Sequence, residues 1–448
     1  MFLKISNRNL KSLYLCISND KCYSRTFFTG SFFKKKENTG KQISYKTLYD
    51  FFLSPFKKIN IINWIKAHLA IYPTSVSSNY FYSVGSVLGI FFVIQITTGL
   101  LLAVYYDPDT GQAWESVQYI FREVNNGWLI KFMHLNGATF IFGLMYVHIG
   151  RGVFTRSYAM QRPIVWYTGM LILFLTMATA FLGYVLIWGQ MSYWAAIVIT
   201  NLLSGIPVIG DTVVLWLWGG PVVGGPTLKR IYAFHIILPF IILVLIFCHI
   251  LALHAVGSSN PIQDDDFDKI RFHPYHYSKD LFVFLIVFFM YMTVVLQYPN
   301  YFNHPENFIK ANPLVTPPHI VPEWYFLPFY AILRSVPNKE LGIILMILSI
   351  VSIVILPKID RWSGVQSQKF RSIHQFIYWC FITDIILLGF CGMSPLVEPY
   401  IWLSKVCTGL YFFLYLCLFV FVPFLEVYLA KRITDDRRVL KKKDWWWR

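Results

Sequence analysis

Apolar residues along this chain gather in stretches of bilayer-spanning length, near residues 81–104, 132–153, 165–186, 231–253, 281–298, 341–357, 373–391 and 402–428. A segment of about twenty apolar residues satisfies its backbone N–H and C=O groups in lipid only as a helix. The pattern therefore predicts an all-α, polytopic membrane fold with eight transmembrane helices. Ahead of the first span, residues 61–72 mix Ile62, Trp64, Ile65 and Leu69 with Lys66 and His68, which predicts an amphipathic helix on the membrane surface. A second short amphipathic stretch is expected at 191–205, after span three. Spans five and six are joined by a Pro-rich loop of about forty residues, a length that predicts a functional or docked segment.

Composition narrows the setting. With 56% hydrophobic and 14% charged residues, the apolar content exceeds what one soluble core can hide, and a bilayer is the matching solvent. The formal charge of +16 is not spread evenly. Of the 39 Lys and Arg, all but eight fall in the head, in the loops after spans two, four and six, and in the tail. This bias predicts both termini on the negative (N) side, the matrix or cytoplasm, and has spans two and four running from the positive (P) side to the N side. Clustered basic charge of this kind fits anionic lipid rather than nucleic acid. The seven Cys include no Cys-x-x-Cys and no Cys-x-x-Cys-His, which argues against zinc clusters and covalent haem; Cys248, Cys380 and Cys417 lie in apolar runs as small hydrophobes.

Residues 1–60 have the basic, acid-poor composition of an organellar transit segment and, with Met1 in place, are expected to be a retained extension. Four regions result: the basic extension 1–60, a four-helix bundle over 61–260, a four-span region over 261–432 with the Pro-rich loop, and a basic tail over 433–448.

Two apolar spans carry histidines at one spacing. His134 and His148 in span two, and His235 and His249 in span four, are both 14 residues apart. On a helix this is a rise of roughly 21 Å and nearly a whole number of turns, so each pair projects from one face, one His near each membrane surface. Because the two spans run the same way, His134 faces His235 near the P side and His148 faces His249 near the N side. Two neutral imidazoles saturate a haem iron and suit it to electron transfer, so the ladder predicts two non-covalent b haems with these four histidines as metal ligands. Gly85 and Gly99 in span one, and Gly169 and Gly183 in span three, repeat the spacing and are expected to admit a flat macrocycle. Arg151 and Arg230, at the N and P ends, are candidate partners for the haem propionates.

From about residue 61 to 432 the chain resembles the mitochondrial cytochrome b family. The resemblance rests on His134-Leu-Asn-Gly, His148-Ile-Gly-Arg-Gly, Ala178 to Tyr184, Phe234-His235-Ile-Ile-Leu-Pro, Pro322-Glu323-Trp324-Tyr325 and Ala331-Ile-Leu-Arg-Ser. The 14 and 14 spacing in a single chain is that of the respiratory rather than the plastid type. The resemblance implies a catalytic subunit of a quinol:cytochrome c oxidoreductase (respiratory complex III) that oxidises ubiquinol near the P side, passes electrons through both haems, and reduces ubiquinone near the N side, coupled to proton translocation. It implies a mitochondrial inner-membrane location, an iron-sulfur (Rieske) subunit, a c-type cytochrome subunit, accessory subunits and a dimeric complex, without which the chain does not turn over.

By the same resemblance Glu323 accepts the quinol proton and Tyr184 lines that pocket, with Phe181, Ile199, Phe326 and Tyr330 as apolar contacts. His254, Ser258, Lys279, Asp280 and Ser86 belong to the N-side quinone pocket, where His254 and Asp280 donate protons. Four positions depart from the family pattern. Lys131 stands for an Arg near the P-side haem, Ile187 for a Pro before Trp188-Gly189, Tyr82 for a Trp, and Ala195 for a Gly. Ile187 is expected to relax the end of span three. Ala195 adds a methyl beside the quinol pocket, from which weak binding of methoxyacrylate-type inhibitors is expected.

Two other functions compete at this level. A b-type membrane anchor of a dehydrogenase or hydrogenase shares the haem ladder but lacks Pro322–Tyr325 and the last three spans. A haem-free transporter would use the same His and Gly as substrate ligands and helix breaks.

Overall fold

A computed structural model describes residues 61–159, 162–261, 268–360, 371–429 and 432. The basic extension 1–60 and the tail 433–448 lie outside the described residues. The chain divides into two units, Met1–Trp64 and Ile65–Arg448, and the sites below belong to the second.

Helices dominate. The surface helix α1 (Ile61–Leu69) leads into a short strand, Pro73–Ser75, paired antiparallel with Lys269–Arg271. Then follow α2 (Val84–Ala103), α3 (Ala113–Arg122), α4 (Gly127–Phe154), α5 (Pro163–Val185), α6 (Gln190–Asn201), α7 (Gly210–Trp218) and α8 (Gly225–Val256). The second half holds α9 (Tyr277–Gln297), α10 (Leu327–Arg334), α11 (Lys339–Val354), α12 (Leu356–Ile359), α13 (Ser372–Met393) and α14 (Tyr400–Leu416). The expected surface stretch at 191–205 is α6 with a 3-10 turn, Leu202–Gly205, while the short helices α3 and α7 had no counterpart in the apolar pattern.

Among the described residues seven helices are long and apolar enough to cross a membrane. The expected span at 341–357 is the 16-residue α11, interrupted at Ile355 before Pro357 and resumed as α12. A proline cannot donate into the ladder, which interrupts the helix there; α11 and α12 together still cover the expected stretch, from Lys339 to Ile359. The spans turn wide apolar faces outward: on α8 these include Ile237, Ile241 and Val244, all exposed, as lipid contact requires.

Packing is organised in pairs. α2 lies along α4 and α5 along α8, whereas contact between the two pairs is sparse. A space therefore runs between α4 and α8 through the middle of the bundle. The loop between α9 and α10 docks on the turn after α5: Gln190 N donates to Ile309 O (2.9 Å), Ala311 N to Trp188 O (3.1 Å) and Ser192 N to Asn307 Oδ1 (3.0 Å). Ile187, in place of a proline, donates its N–H to Tyr184 O at 3.3 Å, so this turn gains a bond that proline lacks and is tied rather than relaxed.

Candidate haem and quinone sites

The four histidines meet in two pairs across the space between α4 and α8. Ring centroids are 6.2 Å apart for His134 and His235, and 6.5 Å apart for His148 and His249. A metal–imidazole bond of about 2.0 Å plus a ring radius of about 1.1 Å on each side demands about 6.2 Å. Both pairs stand at the width that one ligated iron would need.

Tautomers agree for three of the four rings. The hydroxyl of Thr98 donates to Ile94 O (2.8 Å), so it accepts at 3.0 Å from His134 Nδ1. Thr168 repeats this, donating to Ile164 O (2.9 Å) and accepting from His249 Nδ1 (2.9 Å). His235 Nδ1 donates to Thr179 O at 2.9 Å. A ring protonated at Nδ1 presents its Nε2 lone pair across the gap, the form a metal requires. His148 differs, having Arg151 Nη2 at 3.4 Å from Nδ1. Among the described residues no cluster of three or more His, Cys, Asp or Glu is assembled.

Each glycine lies against the histidine of the neighbouring helix. A Cβ on Gly183 would stand 2.5 Å from His235 Cε1, on Gly99 2.9 Å from His134 Cε1, and on Gly85 and Gly169 3.2 Å from His148 and His249 Cε1. What the missing side chains admit here is the imidazole edge. The sequence carries a local sign of this arrangement: Thr98-Gly99 and Thr168-Gly169 are the same dipeptide.

A cavity at the His134–His235 end is also lined by Gly99, Gly183, Lys131, Tyr184, Asn307 and Glu323. Glu323 caps the 3-10 turn Trp324–Phe326. That turn is anchored by Tyr325 stacked on Phe142 (3.8 Å), by Tyr146 donating to Tyr325 O, and by Trp324 Nε1 donating to Thr139 Oγ1 (3.3 Å). Burial pushes the Glu323 carboxyl up to about 7, which makes it a proton acceptor poised near neutrality. Tyr184 accepts from Asn307 Nδ2 at 3.0 Å. Asn307, buried in the docked loop, was not singled out by sequence; nothing in its local sequence marks it.

Phe181, Ala195, Ile199, Phe326 and Tyr330 are not among the residues lining this cavity. Phe181 packs on the cluster of Val185, Trp188 and Tyr193, Ala195 is buried on α6, and Tyr330 donates to Ile320 O (3.2 Å). Arg230 is turned away as well, donating to Trp216 O and Leu217 O at the end of α7. Lys131 stays at the cavity, over the Phe121 ring at 4.6 Å. At the other end Arg151 lies over Tyr82, 4.5 Å from its centroid.

The remaining candidates gather beside the His148–His249 end, along the segment from Tyr72 to Ser86. Ser86 Oγ donates to Asp280 Oδ2 at 2.6 Å, and Lys279 Nζ to Ser78 O at 2.5 Å. Ser258 N donates to Tyr72 Oη (3.0 Å), and His254 meets His68 through their Nδ1 atoms at 2.7 Å. His68 entered the sequence reading only as a polar residue of the surface helix.

Known proteins match this chain in both of its halves. Residues 69–257 match the family described as Cytochrome b/b6/petB, and residues 310–412 match Cytochrome b(C-terminal)/b6/petD. Cytochrome b of Rickettsia prowazekii is 48% identical over 79% of this chain and 89% of its own. Cytochrome b of Phytophthora megasperma is 47% identical over 77% and 90%, and that of Vanderwaltozyma polyspora 45% over 83% and 96%. A solved structure titled Hyperthermophilic respiratory Complex III superposes with a TM-score of 0.78 at 31% identity, covering 84% of this chain and 99% of that one. Histidine pairs at one-iron width, a buried carboxyl beside one of them and matches across both halves lead to one conclusion: the chain belongs to the cytochrome b family.

Proposed function

We propose that this chain is the quinone-reactive subunit of a quinol:cytochrome c oxidoreductase, oxidising ubiquinol at a P-side site and reducing ubiquinone at an N-side site. The observation that carries the proposal is the repetition, at both levels of the bundle, of an imidazole pair separated by the width of one ligated iron. His134 with His235, and His148 with His249, would hold the two b haems, with Lys131 and Arg151 as the cations nearest each. Bound there, the haems supply one-electron transfer across the membrane. The bundle over 61–260 is the haem-binding domain, and 261–432 the region that completes the P-side site.

At the P side Glu323 takes the proton released by quinol, because its buried carboxyl is only half ionised near neutrality. Tyr184, tied to Asn307, orients the quinol ring against it. At the N side His254 and Asp280 donate protons to the reduced quinone, with Ser86, Ser258 and Lys279 around it. Arg230, bound to the end of α7, is left out of haem binding. A Rieske subunit, a c-type cytochrome, accessory subunits and a second copy of the complex are the partners, and the mitochondrial inner membrane, with both termini in the matrix, is the location.

A reduced-minus-oxidised spectrum of the purified assembly, with haem quantified per chain, tests this reading. Two b haems per chain and quinol-dependent reduction of cytochrome c are expected. Absence of a b-type spectrum, or one haem where two are required, would end it.

A further inference from the structure

His68, on the surface helix α1, and His254, in the last turn of α8, have Nδ1 atoms 2.7 Å apart, ring planes within 5° and ring centroids 5.0 Å apart. A five-membered ring with bonds of about 1.33 Å puts each nitrogen about 1.1 Å from the ring centre. Two such radii and the 2.7 Å contact account for the whole 5.0 Å. The rings therefore lie end to end in one plane, not face to face, and the hydrogen bond is linear. Tyr72 covers the His254 ring at 4.1 Å and is held by Ser258 N at 3.0 Å, which restrains that plane.

A hydrogen bond between two Nδ1 atoms of neutral imidazoles holds a single proton. One ring carries it and the other offers its lone pair, so the two tautomers are coupled. Burial lowers the His68 pKa, which keeps that ring neutral and disfavours a trapped cation between transfers.

We propose that His68 is a proton-relay residue for the N-side quinone site, passing protons from the surface helix to His254; the idea rests on the function proposed above. A proton from water binds His68 Nε2, the His68 Nδ1 proton passes to His254 Nδ1, and the His254 Nε2 proton moves to a carbonyl oxygen of the quinone being reduced. Each ring ends neutral with its tautomer reversed, one proton is delivered, and no electron passes through either ring. After product leaves, His254 Nε2 takes a proton from water entering the vacated site, the shared proton returns to His68 Nδ1 and His68 Nε2 releases its proton, which restores both starting tautomers. His68 acts through His254 and does not touch substrate, so it is a positioning and relay residue.

The test uses the assembled complex carrying His68→Ala, His68→Gln or His254→Ala, each checked for an intact b-haem spectrum, with N-side quinone reduction as the rate. Both His68 variants should slow that rate roughly 10- to 100-fold, the scale of loss when a partner hydrogen-bonded behind a metal-bound imidazole is removed. Added imidazoles should restore His68→Ala with a rate that follows the imidazole pKa, a dependence that a filled cavity alone does not give. Gln keeps a hydrogen bond to His254 but relays no proton, so a wild-type rate in His68→Gln overturns the relay. If His254→Ala is inactive while both His68 variants are fast, the relay alone falls. If His254→Ala itself runs at the wild-type rate, the underlying N-side assignment falls with it.

Discussion

A methyl group on Gly183 would stand 2.5 Å from Cε1 of His235, so α5 meets α8 with the imidazole edge resting on the glycine backbone. At Gly169 the equivalent distance to His249 is 3.2 Å, a contact that a small shift relieves. Gly183→Ala should therefore displace His235 at a cost of about 1–3 kcal/mol, the usual range for overpacking. One of the two b-haem signals should weaken or disappear in Gly183→Ala and both persist in Gly169→Ala, as read by haem content and redox titration. Equal haem content in the two variants would contradict this account.

Glu323 supplies a pH dependence. Its carboxyl is raised by burial to about 7, so the ionised, proton-accepting form grows as pH rises through that value and is complete above it. Quinol oxidation should climb with pH through about 7 and level off. Glu323→Gln should lower the rate roughly 10²- to 10⁴-fold, as for loss of a general base, and flatten the profile. A Gln variant that keeps the inflection would assign it to another group.

Asn307 joins two elements by one side chain, accepting from Ser192 N (3.0 Å) and donating to Tyr184 Oη (3.0 Å). Asn307→Ala leaves the buried Ser192 N–H without its acceptor at a cost of about 1–3 kcal/mol. A lower thermal midpoint and slower quinol oxidation are expected together. An unchanged midpoint would mean that the docked loop is held by its backbone bonds alone.

Arg156 and Asp360 form a buried ion pair at 2.5 Å, with side chains 4% and 0% exposed, and Tyr158 donates to the same carboxylate oxygen at 2.8 Å. Removing one charge strands the other, so Asp360→Asn should destabilise the protein by about 3–5 kcal/mol. Thermal unfolding in detergent, followed through the b-haem spectrum, measures the loss; a shift within error of wild type would refute it.

The order of the long helices could be read from the chain because lipid imposes one rule on every spanning segment, and that rule acts locally. The same locality made the histidine ladder legible: His134 and His148, like His235 and His249, share a helix face through helical geometry alone. Motif resemblance added Glu323, His254 and Asp280. It did not point to Asn307, which lines the cavity at the His134–His235 end.

Sequence by itself determined that this is a helical membrane protein with two imidazole pairs, because apolar run length and a 14-residue spacing depend on neighbours along one helix. Tertiary structure decided what faces those imidazoles and what reaches each site. Thr98 and Thr168 orient His134 and His249, Arg230 turns to the end of α7, and His68 is brought from the first helix to a residue 186 positions away. Such pairings arise where helices and loops pack, and packing joins residues that no local pattern relates.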